Sequence, residues 1–407
     1  MTKLLPFLAV ALLACSEVRI VGDDGDDNGN GRGGAGGAAE PPTDPPTHQQ
    51  WVASEVVDRE MLFPREVLLR DGETIVVGMV SRDSGLSLLI RSVAPDRTFT
   101  TMDERSASAA GHLLNMVVGA TDGFDGGLVV LATVVADTPT SWLLFYDAAG
   151  QLFSEYEVPG IEGRDLTVDR VAGNVGIVGI DWRDPSGEVA VYLTATSAGL
   201  ADLSVGEGPS APGLSPVAES VIAHPDGGLV ATKWDYDSDN LAVHSEIVWA
   251  FGPHGIEIVE DDACGPLLAG APGGIIYTAS SPTAGGAGRL CKWTYSDGSG
   301  WSREEYPVEY PGSSLFGITG IGAIGETGEV VIGGWAEPAD GSFIAEMFTR
   351  AYDADGQELW QDQYRGEDGN FAFGMTLATE PDRIVQAGVV SRDDTKPYDT
   401  TLRTLTP

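Results

Sequence analysis

Positive charge is what this chain has least of. Its 407 residues carry 23 Lys and Arg against 61 Asp and Glu, a formal net charge of -38. Lysine stands only at Lys3, Lys233, Lys292 and Lys396. A surface of that sign repels nucleic acid and anionic lipid, so neither is expected as a partner. It favours solubility first and cations second. Histidine is nearly as rare, at His48, His112, His224, His244 and His254. No two of them show helical or zinc-like spacing, so structural or solvent roles are expected rather than ligation. The three cysteines form no Cys-x-x-Cys, which removes dithiol redox chemistry. There is no Gly-x-Ser-x-Gly elbow and no phosphate-cradling Gly loop with a Lys. A Ser-His-Asp triad assembles in space and is not legible in one sequence.

The amino terminus has Lys3 and then an apolar run, Leu4 to Ala14, too short for a bilayer span of ~20 residues. It ends in Leu12-Leu13-Ala14-Cys15. This resembles the lipobox of bacterial lipoproteins, with Leu13 bulkier than the usual residue. The resemblance implies cleavage before Cys15 and lipid on its sulfur and amine. Ser16 in place of Asp is compatible with export to the outer membrane. The expected organisation is a signal peptide over 1–14, a lipid-anchored linker over 15–48 and a folded body over 49–407. The linker is rich in Asp, Gly and Pro and has almost no apolar residues, so it cannot fold alone. Asp24-Gly25-Asp26-Asp27-Asn28-Gly29 opens like a calcium loop, but Ala35 stands where the closing carboxylate belongs, so it reads as solvated linker.

Beyond the linker a short unit recurs. Its clearest copy runs Gly328-Glu329-Val330-Val331-Ile332-Gly333-Gly334-Trp335, then Phe343 to Tyr352, then Asp353-Ala354-Asp355-Gly356-Gln357-Glu358-Leu359-Trp360. That is a strand, a second strand, an Asp-Gly turn and an aromatic strand. A second copy has Leu128–Val135, Trp142–Tyr146, the turn Asp147-Ala148-Ala149-Gly150, and Gln151–Val158. The third is read from Asp165–Val171 onward. Each unit is too small to bury its own sheet faces, so the copies must stack. The last unit, Phe371–Ala378, Arg383–Ser391 and Thr400–Leu405, stops one strand short, while Gln50 to Val56 stands spare before the first. The spare strand is expected to complete the last unit and close a ring. The pattern resembles the seven-bladed β-propeller repeats of bacterial exported proteins over Gln50 to Pro407. The resemblance implies an all-β, seven-bladed propeller of four-stranded antiparallel blades and no single activity.

Loops after the second strands repeat in chemistry: Ser81-Arg82-Asp83, Trp182-Arg183-Asp184, Asp235-Tyr236-Asp237-Ser238-Asp239 and Ser391-Arg392-Asp393-Asp394. In a propeller they share a face with the blade-to-blade loops. Arg82, Asp83, Arg183, Asp184, Arg392 and Asp393 are therefore candidate ligand contacts, and Asp235, Asp237 and Asp239 candidate calcium ligands if a loop converges them. The plainer reading is a repeated turn in which Asp caps the backbone and Arg pairs with it. The tryptophans, Trp182 among them, read as packing before sugar platforms.

Export leaves Cys264 and Cys291 to form one disulfide. Both fall in the fifth unit. First and third strands of a blade are ~10 Å apart, beyond the ~7 Å limit of a bridge. Cys264-Gly265-Pro266 must therefore be a loop that folds over the end of the second strand. The functional expectation is a monomeric, membrane-anchored scaffold at the outer membrane. It would bind a protein or polysaccharide through one face, with no cofactor beyond possible calcium. Its rivals are a propeller enzyme, of quinone-cofactor dehydrogenase or polysaccharide lyase type, and a purely structural surface protein.

Overall fold

The structure, a computed structural model, describes residues 52–406 apart from 59–62, 71, 83–84, 107–117, 135–137, 184–187, 206–213, 238–241, 253–254, 261, 283–286, 297–299, 311–312, 314, 326–327, 338–344, 366–370 and 392–398. It is a seven-bladed β-propeller. Strand β1 (Val52–Asp58) precedes the first blade. Blade 1 is β2 (Phe63–Arg70), β3 (Glu73–Arg82), β4 (Gly85–Val93) and β5 (Phe99–Ser106). Blade 2 is β6 (Val118–Asp122), β7 (Leu128–Val134), β8 (Thr140–Tyr146) and β9 (Leu152–Pro159). Blade 3 is β10 (Ile161–Asp169), β11 (Asn174–Asp181), β12 (Val189–Thr196) and β13 (Gly199–Val205). Blade 4 is β14 (Ser215–Ala223), β15 (Leu229–Tyr236), β16 (Ala242–Gly252) and β17 (Gly255–Glu260). Blade 5 is β18 (Leu267–Ala271), β19 (Ile275–Ser280), β20 (Gly288–Ser296) and β21 (Gly300–Val308). Blade 6 is β22 (Phe316–Ile324), β23 (Glu329–Ala336), β24 (Glu346–Tyr352) and β25 (Glu358–Tyr364). The last three strands are β26 (Ala372–Glu380), β27 (Arg383–Val390) and β28 (Asp399–Thr406).

Blade 7 has the order β1-β28-β27-β26, so the amino-terminal strand supplies its fourth member. Seven antiparallel pairs, from Val52↔Thr406 to Asp58↔Thr400, make the closure. The first strand of each blade touches the first strand of the next, from β2 round to β26 and back to β2. First strands therefore ring the axis and fourth strands lie outside. The burial of the strands follows from that arrangement. Leu128 to Val134 of β7 and Glu346 to Tyr352 of β24 are buried at every position, because both faces meet another blade. The outer β9 and β25 mix half-buried and exposed positions. Apolar clusters fill the joints between blades, such as Leu131, Leu143, Leu166, Ile177 and Leu193 between blades 2 and 3.

Third-unit boundaries differ from the sequence reading. Its first strand begins at Ile161 rather than Asp165 and ends at Asp169. The joint from blade 2 is the single residue Gly160, which turns at φ +77°. An L-residue there is strained, and a Cβ would lie 2.2 Å from Arg183 Cγ.

One irregularity repeats. Strands β2, β10, β14, β22 and β26 each carry a bulge in the pairing with their neighbour, at Arg65, Arg164, Glu219, Thr319 and Met375. A bulge inserts one unpaired residue and re-aims its neighbours. Its recurrence puts extra side chains at one level around the axis.

Candidate functional site

Loops after the second strands and loops between blades share one face, here the loop face; the remaining turns form the turn face. Of the expected rim, Asp83, Asp184, Arg392, Asp393 and Asp239 lie outside the described residues. The two described arginines turn their forks inward on their own blades. Arg82 gives Nε and one terminal nitrogen to Glu104 of β5, both at 2.8 Å. Arg183 grips Asp181 in the same way, at 2.9 and 2.7 Å. These bidentate pairs hold the loops down. Asp353 and Asp147, on the turn face, cap their own turns through backbone N–H groups two and four residues on.

Around the axis the bulges bring carboxylates together. Glu66 of β2 and Asp165 of β10 repel each other although blade 2 stands between their blades. The intervening strand offers Gly119, where a Cβ would come 3.3 Å from Asp165 Oδ1. Burial pushes the Glu66 carboxyl well above the usual range, and the Asp165 charge adds to it. Burial also pushes Asp165 up to about 7, against the backbone N–H donors of Val221 and Leu166. Its Oδ2 accepts from Val221 at 2.9 Å and so ties blade 3 to blade 4. Both carboxyls are held above their unfolded values. The folded chain thus keeps protons that the unfolded chain has released. Their stabilising contribution is complete below the unfolded pKa and is lost as pH rises through about 7 for Asp165. Glu66→Gln removes a carboxyl that ionises more readily in the unfolded chain than in the folded one, so it is expected to raise the melting temperature at pH 8 and leave it unchanged near pH 4. Equal shifts at both pH values would contradict this.

Among the described residues, blades 3 and 4 carry two polar assemblies on the loop face. Trp182 follows β11 and is 42% exposed, a correction to its reading as packing. Its backbone N–H donates to Gly160 O at 2.8 Å. Its indole N–H donates to Glu162 Oε2 at 3.1 Å. The other oxygen of Glu162 pairs with Arg164 at 2.7 Å. The ring is therefore held at its edge with a face left open. Val52, Phe153 and Val171, the other large exposed apolar residues among those described, sit at the turn-face ends of their strands or in a turn.

The β15–β16 hairpin supplies the second assembly. Its register sets Asp235 opposite His244 and Lys233 opposite Glu246. Asp235 is 4% exposed and lies inside the end of β15 rather than in a loop. Its carboxylate is 3.3 Å from His244 Nδ1 and 3.6 Å from Lys233 Nζ. Lys233 also donates to Glu246 Oε2 at 2.8 Å. Asp235 thus faces cations of the chain itself, and among the described residues no three His, Cys, Asp or Glu are placed to hold a metal ion. The hairpin packs on Tyr192 of β12. The Tyr192 hydroxyl is buried with no hydrogen-bond partner among the described residues. Burial, then the charges of Glu246 and Asp235, hold it protonated.

Glu162, Arg164, Lys233, His244 and Glu246 escaped the sequence reading. The available signal was Lys233-x-Asp235 facing His244-x-Glu246, charge at period two in an otherwise apolar hairpin. His224 bears a structural role: it is buried, with its ring 4.4 Å from that of Trp249.

No protein-family model matches this chain, and no curated protein matches it in sequence. The likeness is one of fold. The polysaccharide lyase Uly1 aligns with a TM-score of 0.51 at 7% identity, over 87% of this chain and 99% of that one. The periplasmic gluconolactonase PpgL of Pseudomonas aeruginosa aligns with a TM-score of 0.48 at 13% identity, over 87% and 96%. A protein of unknown function from Dyadobacter fermentans aligns with a TM-score of 0.45 at 11% identity, over 86% and 97%.

Proposed function

We propose that this protein is an exported, lipid-anchored recognition module of the bacterial outer membrane that binds an uncharged polysaccharide through the loop face of blades 3 and 4. Trp182 carries the reading. It is the large apolar side chain exposed on that face among the described residues; Glu162 holds the indole N–H and Gly160 holds its backbone. An open, pre-oriented aromatic face suits a sugar ring, because little rotamer freedom is left to lose on binding. The net charge of -38 argues for an uncharged ligand over an anionic one. For the same reason a lyase acting on an anionic polysaccharide is the second reading, although a polysaccharide lyase shares the fold.

The anchor rests on Leu12-Leu13-Ala14-Cys15. The test uses the full chain. A neutral-glycan array should return a ligand, and Trp182→Ala should weaken its binding about tenfold, the equivalent of ~1.4 kcal/mol. A fatty-acid probe should label the wild type and not Cys15→Ser. Unchanged binding by Trp182→Ala removes the recognition reading, and an unlabelled wild type removes the anchor.

A further inference from the structure

The His244–Asp235 pair has more structure than a cross-strand ion pair needs. One partner is buried and the other is open: the Asp235 side chain is 5% exposed and the His244 side chain 41%. Asp235 is held from behind by Lys233, which is in turn fixed by Glu246. With the His244 Nδ1 proton donated to Asp235 Oδ2 at 3.3 Å, Nε2 is left as the basic nitrogen. A buried carboxylate that orients an accessible imidazole is the arrangement a general base requires.

We propose that His244, oriented by Asp235, is a general base that hydrolyses an acyl ester on an uncharged carbohydrate held at this face. The proposal rests on the recognition reading. His244 Nε2 takes a proton from water as the water oxygen bonds to the acyl carbon, and the carbonyl electron pair moves onto its oxygen. The tetrahedral anion then expels the sugar oxygen, which takes the proton back from Nε2. Ester and water become a carboxylic acid and a sugar alcohol, with no oxidant or reductant. His244 is the catalytic residue and Asp235 a positioning residue. The freed acid ionises at neutral pH, and the chain's net charge of -38 would repel it, which aids release.

The experiment measures acetate release by the full chain from an uncharged O-acetylated xylo-oligosaccharide, with free imidazole at equal concentration as the reference. The wild type should exceed imidazole. His244→Gln should lower kcat about 10²-fold, the low end of what a general base contributes. It should keep the melting temperature, since this side chain is already half-exposed. Asp235→Asn should lower kcat with KM unchanged, which a loss of packing alone would not do. A wild type no faster than imidazole, or a His244→Gln rate equal to wild type, overturns the proposal. If glycan binding through Trp182 persists in either case, recognition stands and catalysis falls. If binding is absent too, both fall.

Discussion

Removal of residues 49–57 is expected to cause aggregation, while removal of residues 23–43 leaves the melting temperature unchanged. The two deletions differ in what they uncover. Strand β1 pairs with β28 through all seven of its residues. Without it, β28 becomes an unprotected edge whose N–H and C=O groups can template another chain. Thr401 loses its bond to Glu55 Oε1 at 3.0 Å. Asp58, fixed at the end of β1, pairs with Arg91 of blade 1 at 3.3 Å with both side chains buried, so the joint between blades 7 and 1 loosens as well. The deletion keeps Asp58 but removes the strand that holds it against Arg91, and separating a buried ion pair costs about 3–5 kcal/mol, comparable with much of a domain's net stability. Size-exclusion chromatography and a melting curve on both deletions decide it. A monomer with wild-type melting after loss of 49–57 would mean that the ring does not depend on its closing strand.

That closure was legible in the sequence because it is a matter of counting. A unit with three strands and a spare strand at the other end of the chain admit one economical solution. The hairpins were legible for a similar reason: apolar alternation and Asp-Gly turns recur, and period two is a local signal. The site was not legible in the same way. Trp182 carries the same residue type as the packing tryptophans, and only the one-residue joint at Gly160 brings Glu162 under its edge. Arg82 was expected to pair beside its own loop, yet its fork reaches Glu104, 22 residues on, because the fourth strand returns to the same face. His244 was set aside for want of a histidine partner. Its partner is Asp235, nine residues earlier and directly across the hairpin, a relation fixed by register rather than by spacing. Glu66 and Asp165, which feel each other's charge, each follow a bulge at an equivalent place in the first strand of a blade.

Replacement of both Cys264 and Cys291 by Ala is expected to lower the melting temperature without changing the fold. The bridge joins the loop between blades 4 and 5 to β20, with Cα atoms 6.2 Å apart and 27 residues between them in sequence. As expected from the sequence, the loop crosses the end of β19. Gly265 lies so close there that a Cβ would come 2.0 Å from Ala279 O, which admits no side chain. Cys264 itself turns at φ +64°, a conformation that costs energy in a non-glycine residue and is kept by its surroundings. Those surroundings are dense. Ala263 N–H donates to Ser245 Oγ at 3.1 Å, and Thr232 Oγ1 donates to Pro266 O at 2.9 Å. Asp262 takes hydrogen bonds from Arg289 at 3.2 Å and Arg303 at 3.0 Å. The loop is thus pinned without the bridge, so the bridge should act chiefly on the unfolded chain. Closing a loop of this length removes chain entropy worth ~3 kcal/mol. Spread over the unfolding entropy of a body this size, that is a fall of about 4 °C. Ser245 shares its strand with His244 and Glu246 but points to the opposite face, toward blade 5. The double variant should therefore melt earlier and, on the proposed recognition reading, still bind glycan through Trp182 with wild-type affinity. Non-reduced peptide mapping must first show the Cys264–Cys291 link in the protein isolated from cells. An unchanged melting temperature in the double variant would mean that the loop's hydrogen bonds, not the sulfur bridge, hold this joint.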